Sequence, residues 1–187
     1  MLKAFLQSNM GLPNSLVDAV APYYRKEQIA KGQYITKENQ YCKKMCLVQK
    51  GYFRFYTHSD KKEITHWIFG SEQLVTDVGS FFLNQPSKWN IQALVDTEVF
   101  TLSQETYNTL ETAIPRWNHY EKLFLVKLMS ALENRVYTLL SMNAERRYQY
   151  LMEADANILQ ELPQHYIASM LGMSPETMSR IRAKAIS

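Results

Sequence analysis

A chain of 187 residues, 46% hydrophobic and 21% charged, is long enough for one sizeable core with a small second domain beside it. Its net charge of +3 excludes neither a nucleic-acid partner nor an ordinary soluble enzyme. Two cysteines, Cys42 and Cys46, exclude a disulfide scaffold and point to a reducing compartment.

The opening stretch "MLKAFLQSNMGLPNSL" has no long apolar core and no small-residue cleavage site. No apolar run is long enough to span a bilayer, so the sequence predicts a cytoplasmic protein without a membrane partner. Residues 14–20 predict a short amphipathic helix capped by Asn14 or Ser15.

From about Tyr23 to Leu102, short β-branched and aromatic runs alternate with polar turns, as in "KGQYITKE", "KMCLVQKGYFRFYTHSDKKEITHWIFGSEQLV" and "NIQALVDTEVFTLS". That texture predicts an antiparallel β roll or barrel. The alternating aromatics of "GYFRFY" read as roll core rather than as a stacking platform.

At Ser103 the period becomes helical. "SQETYNTLETAI" predicts a helix capped by Ser103 and stopped at Pro115. A long helix follows from about Arg116 to Met142, with Trp117, Tyr120, Phe124, Leu128, Ala131 and Leu132, Val136 and Leu139 recurring every three to four residues. A stripe of that length exceeds what a small domain covers, so a homodimer is expected, with Trp117, Tyr120, Phe124, Leu128 and Ala131 in its interface; the alternative is a helix buried against its own roll. Another helix is expected within "AERRYQYLMEADANILQELPQ".

The last stretch, "LPQHYIASMLGMSPETMSRIRAK", fits two short helices joined at Gly172. Ala168 is small where the helices cross, and Gly172 suits a left-handed turn. Ile167, Leu171, Met173, Met178 and Ile181 supply apolar contacts, and Ser174-Pro175 is an N-cap followed by an N1 proline. Gln164 to Arg180 therefore fits the helix–turn–helix template.

On the second helix Met178, Ile181 and Ala185 point inward, while Glu176, Thr177, Arg180 and Lys184 share the outer face. Arg can donate twice to guanine and Glu can accept from cytosine, so that face suits base edges in a major groove. Arg182 and Lys184 suit phosphates. Residues 143–187 nevertheless carry five basic and five acidic side chains, which predicts weak non-specific DNA affinity.

The full order resembles the Crp–Fnr family of bacterial transcription regulators, and most closely its Bacteroidetes Crp-like group. The resemblance is carried by "KGQYITKENQ" with "LVQKGYFRFY", by "TDVGSFFLNQPSKWNIQAL", and above all by "IASMLGMSPETMSRIRAK" with "ERRYQYL". It implies an α+β fold: a cyclic-nucleotide-binding-like roll over residues 1–114, a dimerisation helix over 115–142 and a helix–turn–helix domain over 143–187.

By the resemblance, Ser174, Glu176, Thr177 and Arg180 fall where family members read a palindromic operator in double-stranded DNA. RNA polymerase is an implied partner, together with a small-molecule effector of unspecified chemistry. No enzymatic activity and no cofactor or metal is expected. Pro175 stands where some members carry a basic residue, so their operator preference need not transfer.

In the family's nucleotide cassette a glutamate faces the ribose and an Arg-Ser or Arg-Thr pair faces the cyclic phosphate. Counted back from "IQAL", these positions fall on Asp77, Ser87 and Lys88, with Thr76 at the glycine position. An anionic phosphate in a buried site needs a fixed donor fork, which Ser87 cannot supply. Strand alternation would turn Lys88 away from Ser87. The cassette is therefore expected to be degenerate for cyclic AMP.

Cys42 and Cys46 are too few for the four-cysteine iron–sulfur site of Fnr-type sensors and read as packed thiols. The four histidines show no ligand spacing. The rival functional reading is a ligand-sensing or protein-interaction module whose helix–turn–helix no longer contacts DNA.

Overall fold

A computed structural model of the protein describes residues 1–60 and 62–186, with side chains described through Lys184. The inward contact expected of Ala185 lies outside the described residues. Two helices open the chain, α1 (Leu2–Met10) and α2 (Asn14–Val20), followed by a 3-10 turn at Ala21–Tyr23. Helix α1 buries Leu2, Phe5, Leu6 and Met10 and closes at Gly11, whose φ of +70° a side chain would strain. Helix α2 occupies the expected residues, but Pro13 holds its N-cap position without a side-chain bond. Asn14 instead accepts a bond from the Gln7 amide.

Among the described residues the roll comprises β1 (Arg25–Ile29), β2 (Tyr34–Thr36), β3 (Lys44–Lys50), β4 (Phe53–Ser59), β5 (Lys62–Phe69), β6 (Leu74–Val75), β7 (Asn90–Ala93) and β8 (Thr97–Ser103). They form two four-stranded sheets, ordered β1-β8-β3-β6 and β2-β7-β4-β5, with antiparallel neighbours throughout. Between the sheets lies a core of Ile29, Val48, Phe53, Val75, Ile91 and Val99, which also takes up Cys42 and Cys46. At the β3–β4 turn, Gly51 has φ of +103°, and a Cβ there would lie 2.5 Å from Thr97 Oγ1. Helix α3 (Val78–Leu83) interrupts the roll between β6 and β7.

Ser103 caps α4 (Gln104–Ala113) as expected, its Oγ accepting from the Thr106 N–H at 3.1 Å. Ile114, held extended by the following Pro115, ends that helix. The long helix α5 runs over Trp117–Ser141.

Its packing corrects the expected interface. Trp117, Tyr120 and Phe124 are buried inside the protomer, and Leu128 leans on the same cluster. Their partners are α1 and α4: the rings of Phe5 and Phe124 meet edge to face at 6.4 Å, and those of Tyr107 and Trp117 at 5.8 Å. These four residues belong to the chain's own core because α1 covers that face. Ala131 is exposed and lines a cleft toward the small domain. A second apolar stripe of α5 lies open, with Leu125, Met129, Leu132, Val136 and Leu140 at steps of four, three, four and four residues. Met129 is 59% exposed, Leu132 57% and Leu140 81%, so no other part of the protomer buries them.

The C-terminal unit consists of α6 (Ala144–Ala154), α7 (Ile158–Glu161), α8 (Gln164–Met170) and α9 (Pro175–Ile186). Its core joins Tyr148, Ile158, Leu162, Ile167 and Met178 to Tyr52, Ile68 and Leu94 of the roll. The small unit is thus packed onto the second sheet.

Arg54 fastens this junction. Strand alternation turns Phe53 and Phe55 into the roll core and Arg54 out of it. The Arg54 side chain is only 2% exposed and is sandwiched between the rings of Tyr56 (4.2 Å) and Tyr166 of α8 (3.8 Å). Its Nε donates to Thr65 Oγ1 at 2.8 Å and Nη1 to Glu63 Oε2 at 2.5 Å, so the buried cation is both paired and stacked. Beside it the Thr65 N–H donates to Ser169 Oγ of α8 at 2.9 Å, and Tyr52 donates to Asp155 Oδ2 at 3.0 Å.

Candidate functional site

Helix α8 ends in a turn closed by two backbone bonds. The Met173 N–H reaches Ala168 O at 3.0 Å and the Gly172 N–H reaches Ser169 O at 3.0 Å, with Gly172 at φ +65°. That pattern needs a left-handed residue, which Gly supplies at low cost. Ala168 is wholly buried, so the two helices approach closely there. Ser174 caps α9, its Oγ accepting from the Thr177 N–H at 3.2 Å, and Pro175 takes the first helical position. Ile167, Leu171, Met178 and Ile181 are buried between α8, α9 and α6, and Met173 is half-buried.

Burial of Met178 and Ile181 fixes the rotation of α9. Ser174, Glu176, Arg180 and Lys184 are exposed, while Thr177 and Arg182 are half-buried. The Ser174 hydroxyl, the backbone N–H of Glu176 itself and the Arg180 cation hold the Glu176 carboxyl below the usual range. Glu176 is therefore an acceptor at neutral pH. Lys184 pairs with Glu145 of α6 at 3.3 Å, a partner that the sequence did not reveal. Both members of that pair are well exposed, so a phosphate could compete for the ammonium.

The expected effector positions come together in the roll and satisfy each other. Asp77 caps α3, its Oδ1 accepting from the Ser80 N–H at 3.1 Å. Its Oδ2 accepts from Ser87 Oγ at 2.7 Å, and Ser87 Oγ in turn accepts from the Trp89 N–H at 3.1 Å. Asp77 is 5% exposed and Ser87 1%. Lys88 is exposed and lies in the bend before β7, so the strand alternation expected to direct it does not apply there. Thr76 Oγ1 donates to Lys44 O at 3.2 Å. Ser87, at the position expected to face a phosphate, gives its hydroxyl to this carboxylate and offers no fixed cationic fork.

Cys42 and Cys46 are free and buried. Burial pushes the Cys46 thiol up to about 12, so it is protonated at neutral pH and a poor nucleophile. Among the described residues no group of three or more His, Cys, Asp or Glu could hold a metal ion, and no helix is long and apolar enough to cross a membrane.

The residues that attach the small unit were not singled out from sequence. Arg54 meets Tyr166, and Thr65 meets Ser169, only because segments about a hundred positions apart fold together. The signal available was Arg54 itself, a charged residue in the run "GYFRFY" read as core.

An eight-stranded roll with an embedded short helix, a long helix and a compact helical unit define the class of fold. Residues 26–111 match the family model of the cyclic nucleotide-binding domain. Among solved structures the chain is similar to the catabolite activator protein of Thermus thermophilus, at 24% identity over 96% of this chain and 85% of that one, with a TM-score of 0.59. It is also similar to FixK2 from Bradyrhizobium japonicum, at 18% identity over 86% and 83%, with a TM-score of 0.69. A third is the c-di-GMP responsive global regulator CLP of Xanthomonas campestris, at 14% identity over 92% and 91%, with a TM-score of 0.64. No curated protein matches the chain in sequence. At these identities the likeness establishes the α+β fold, from roll through long helix to C-terminal helices.

Proposed function

We propose that the protein is a homodimeric, sequence-specific DNA-binding transcription regulator of the Crp–Fnr type, of the Bacteroidetes Crp-like kind, with α8 and α9 as its helix–turn–helix. The observation that carries this is the face of α9. Met178 and Ile181 anchor the helix while Glu176, Thr177 and Arg180 stand outward on the groove side. The likeness to regulators along nearly the whole chain supports it.

The dimer is assigned to the open stripe of α5, Leu125, Met129, Leu132, Val136 and Leu140. The steps of four, three and four from Leu125 to Val136 match a coiled-coil seam, and Leu140 continues the stripe on its flank. Two copies paired there would set two α9 helices in twofold relation, which calls for a palindromic site.

Selection of genomic fragments by the purified full chain tests the reading. A palindrome with half-sites about one helical turn apart should be enriched. Absence of any enriched palindrome would favour the interaction-module reading, which the formal neutrality of residues 143–187 also supports.

Asp77 and Ser87 further motivate the proposal that cyclic AMP is not the effector. Calorimetry with cyclic AMP and cyclic GMP should give no saturable heat at micromolar ligand. A micromolar dissociation constant for either would overturn it. Ser87→Ala should cost about 1–3 kcal/mol of stability, because it leaves the buried Asp77 oxygen without its donor.

A further inference from the structure

Where the roll, α5 and the small unit meet, a cleft of about 620 Å³ opens. That volume suits a small organic ligand, and domain junctions are common places for such sites. One wall is apolar, formed by Trp67 and Ile68 of β5 with Leu151 and Ile158 of the small unit.

Arg135 of α5 and Arg147 of α6 line the same cleft. Among the described residues the hydrogen bonds of both go to carbonyl oxygens alone. Arg135 Nη2 donates to His66 O at 3.3 Å and to Met170 O, and its guanidinium lies 5.2 Å from the Trp67 ring. Arg147 donates to Met142 O at 2.7 Å and Gly172 O at 3.3 Å. Carbonyls satisfy donors but bring no counter-charge. Among the described residues neither guanidinium has a carboxylate within ion-pair distance. Burial and the Arg147 charge both push the Arg135 pKa down.

The cleft's carboxylates do not remedy this. Asp155 accepts from Tyr52 through Oδ2 and from the Asn157 N–H through Oδ1, and Glu161 is exposed. Asp155 also lies eight residues beyond Arg147, about 12 Å along a helix. The basic end of the cleft thus has donors and charge without an anion, next to an aromatic and aliphatic wall.

We propose that this cleft binds a small organic anion with an apolar body, its acid group between Arg135 and Arg147 and its body against Trp67, Ile68 and Leu151. Such a ligand touches the roll, the long helix and the small unit at once. Its binding is therefore coupled to how the small unit is held, whether or not that unit contacts DNA.

Calorimetry on the full chain tests the site with four probes. 4-Phenylbutyrate and phenyl phosphate carry both charge and body, 4-phenylbutanol lacks the charge, and inorganic phosphate lacks the body. The two organic anions should give saturable heats and raise the melting temperature, with the alcohol and inorganic phosphate at least about tenfold weaker. Arg135→Gln and Arg147→Gln should each weaken the anions by about tenfold or more. Because these arginines also hold backbone carbonyls, Ala154→Phe supplies an independent variant. Ala154 is exposed on the cleft wall one turn beyond Leu151, so a ring there obstructs the seat of the ligand's apolar body while the fold melts as before. It should abolish binding. The proposal is overturned by no saturable heat with either organic anion in the millimolar range. Equal affinity for 4-phenylbutanol, equal affinity for inorganic phosphate, or undiminished binding to Ala154→Phe would each overturn it too.

Discussion

Phe124→Ala is expected to destabilise the protomer by about 3–5 kcal/mol, whereas Leu132→Glu combined with Leu140→Glu should dissociate the proposed dimer and leave the protomer folded. The two stripes of α5 have opposite surroundings. Phe124 is 6% exposed and meets Phe5 within a cluster that includes Leu6, Leu110, Trp117 and Tyr120. Helix α1, α4 and the first sheet all bear on that cluster, so the space left by a missing ring cannot collapse without moving an entire element. Leu132 and Leu140 are more than half exposed, and replacing such residues changes an isolated protomer by about 0.5 kcal/mol or less. In a paired seam the same two glutamates would face their own copies without counter-charge.

Denaturant melts and light scattering separate the outcomes. Since dimerisation itself adds stability by mass action, Phe124→Ala is best measured in the Leu132→Glu, Leu140→Glu background. If the double variant is still dimeric at micromolar concentration, the seam lies on another surface. If Phe124→Ala yields stable monomers, Phe124 belongs to the seam after all.

That Trp117, Tyr120 and Phe124, expected in a seam, are buried within the protomer has a definite physical origin. Apolar residues at helical spacing identify α5 as amphipathic, but α5 has two apolar stripes, and sequence periodicity does not say which neighbour covers which. Here the neighbour is α1. Its own signal was present, with Leu2, Phe5, Leu6 and Met10 at helical spacing and Gly11 as a terminator, and recognising it would have assigned Phe124 to the interior.

Elements whose marks are local were legible. Ser103 and Pro115 bracket α4, and Ala168, Gly172 and Ser174-Pro175 define the turn between α8 and α9. Helix α3 was hidden because six residues show little periodicity, and its cap, Asp77, was read only for a ligand role. The Arg54–Tyr166 stack was beyond local reading altogether, since nothing near Arg54 in sequence announces a ring from position 166.

Arg180→Ala is expected to cost about 1–3 kcal/mol on the preferred operator and to relax base choice at one position in each half-site. The expectation follows from the rotation of α9. Met178 is wholly buried and Ile181 nearly so, which leaves Arg180 exposed one turn beyond Glu176. Glu176 is ionised and close enough for the two charges to interact, so the pair can present an acceptor and a bidentate donor to adjacent bases. Lys184 stands nearer the helix end and shares its charge with Glu145. Lys184→Ala should therefore weaken all DNA sequences alike and lower the salt dependence by about one unit of slope. Loss of the exposed Lys184–Glu145 pair should cost the fold little, which keeps the binding change interpretable. Each variant is measured against a randomised operator library at two salt concentrations. If Arg180→Ala preserves base preference and loses affinity uniformly, Arg180 is a phosphate clamp, and the reading face of α9 must be sought at Ser174, Glu176 and Thr177 alone.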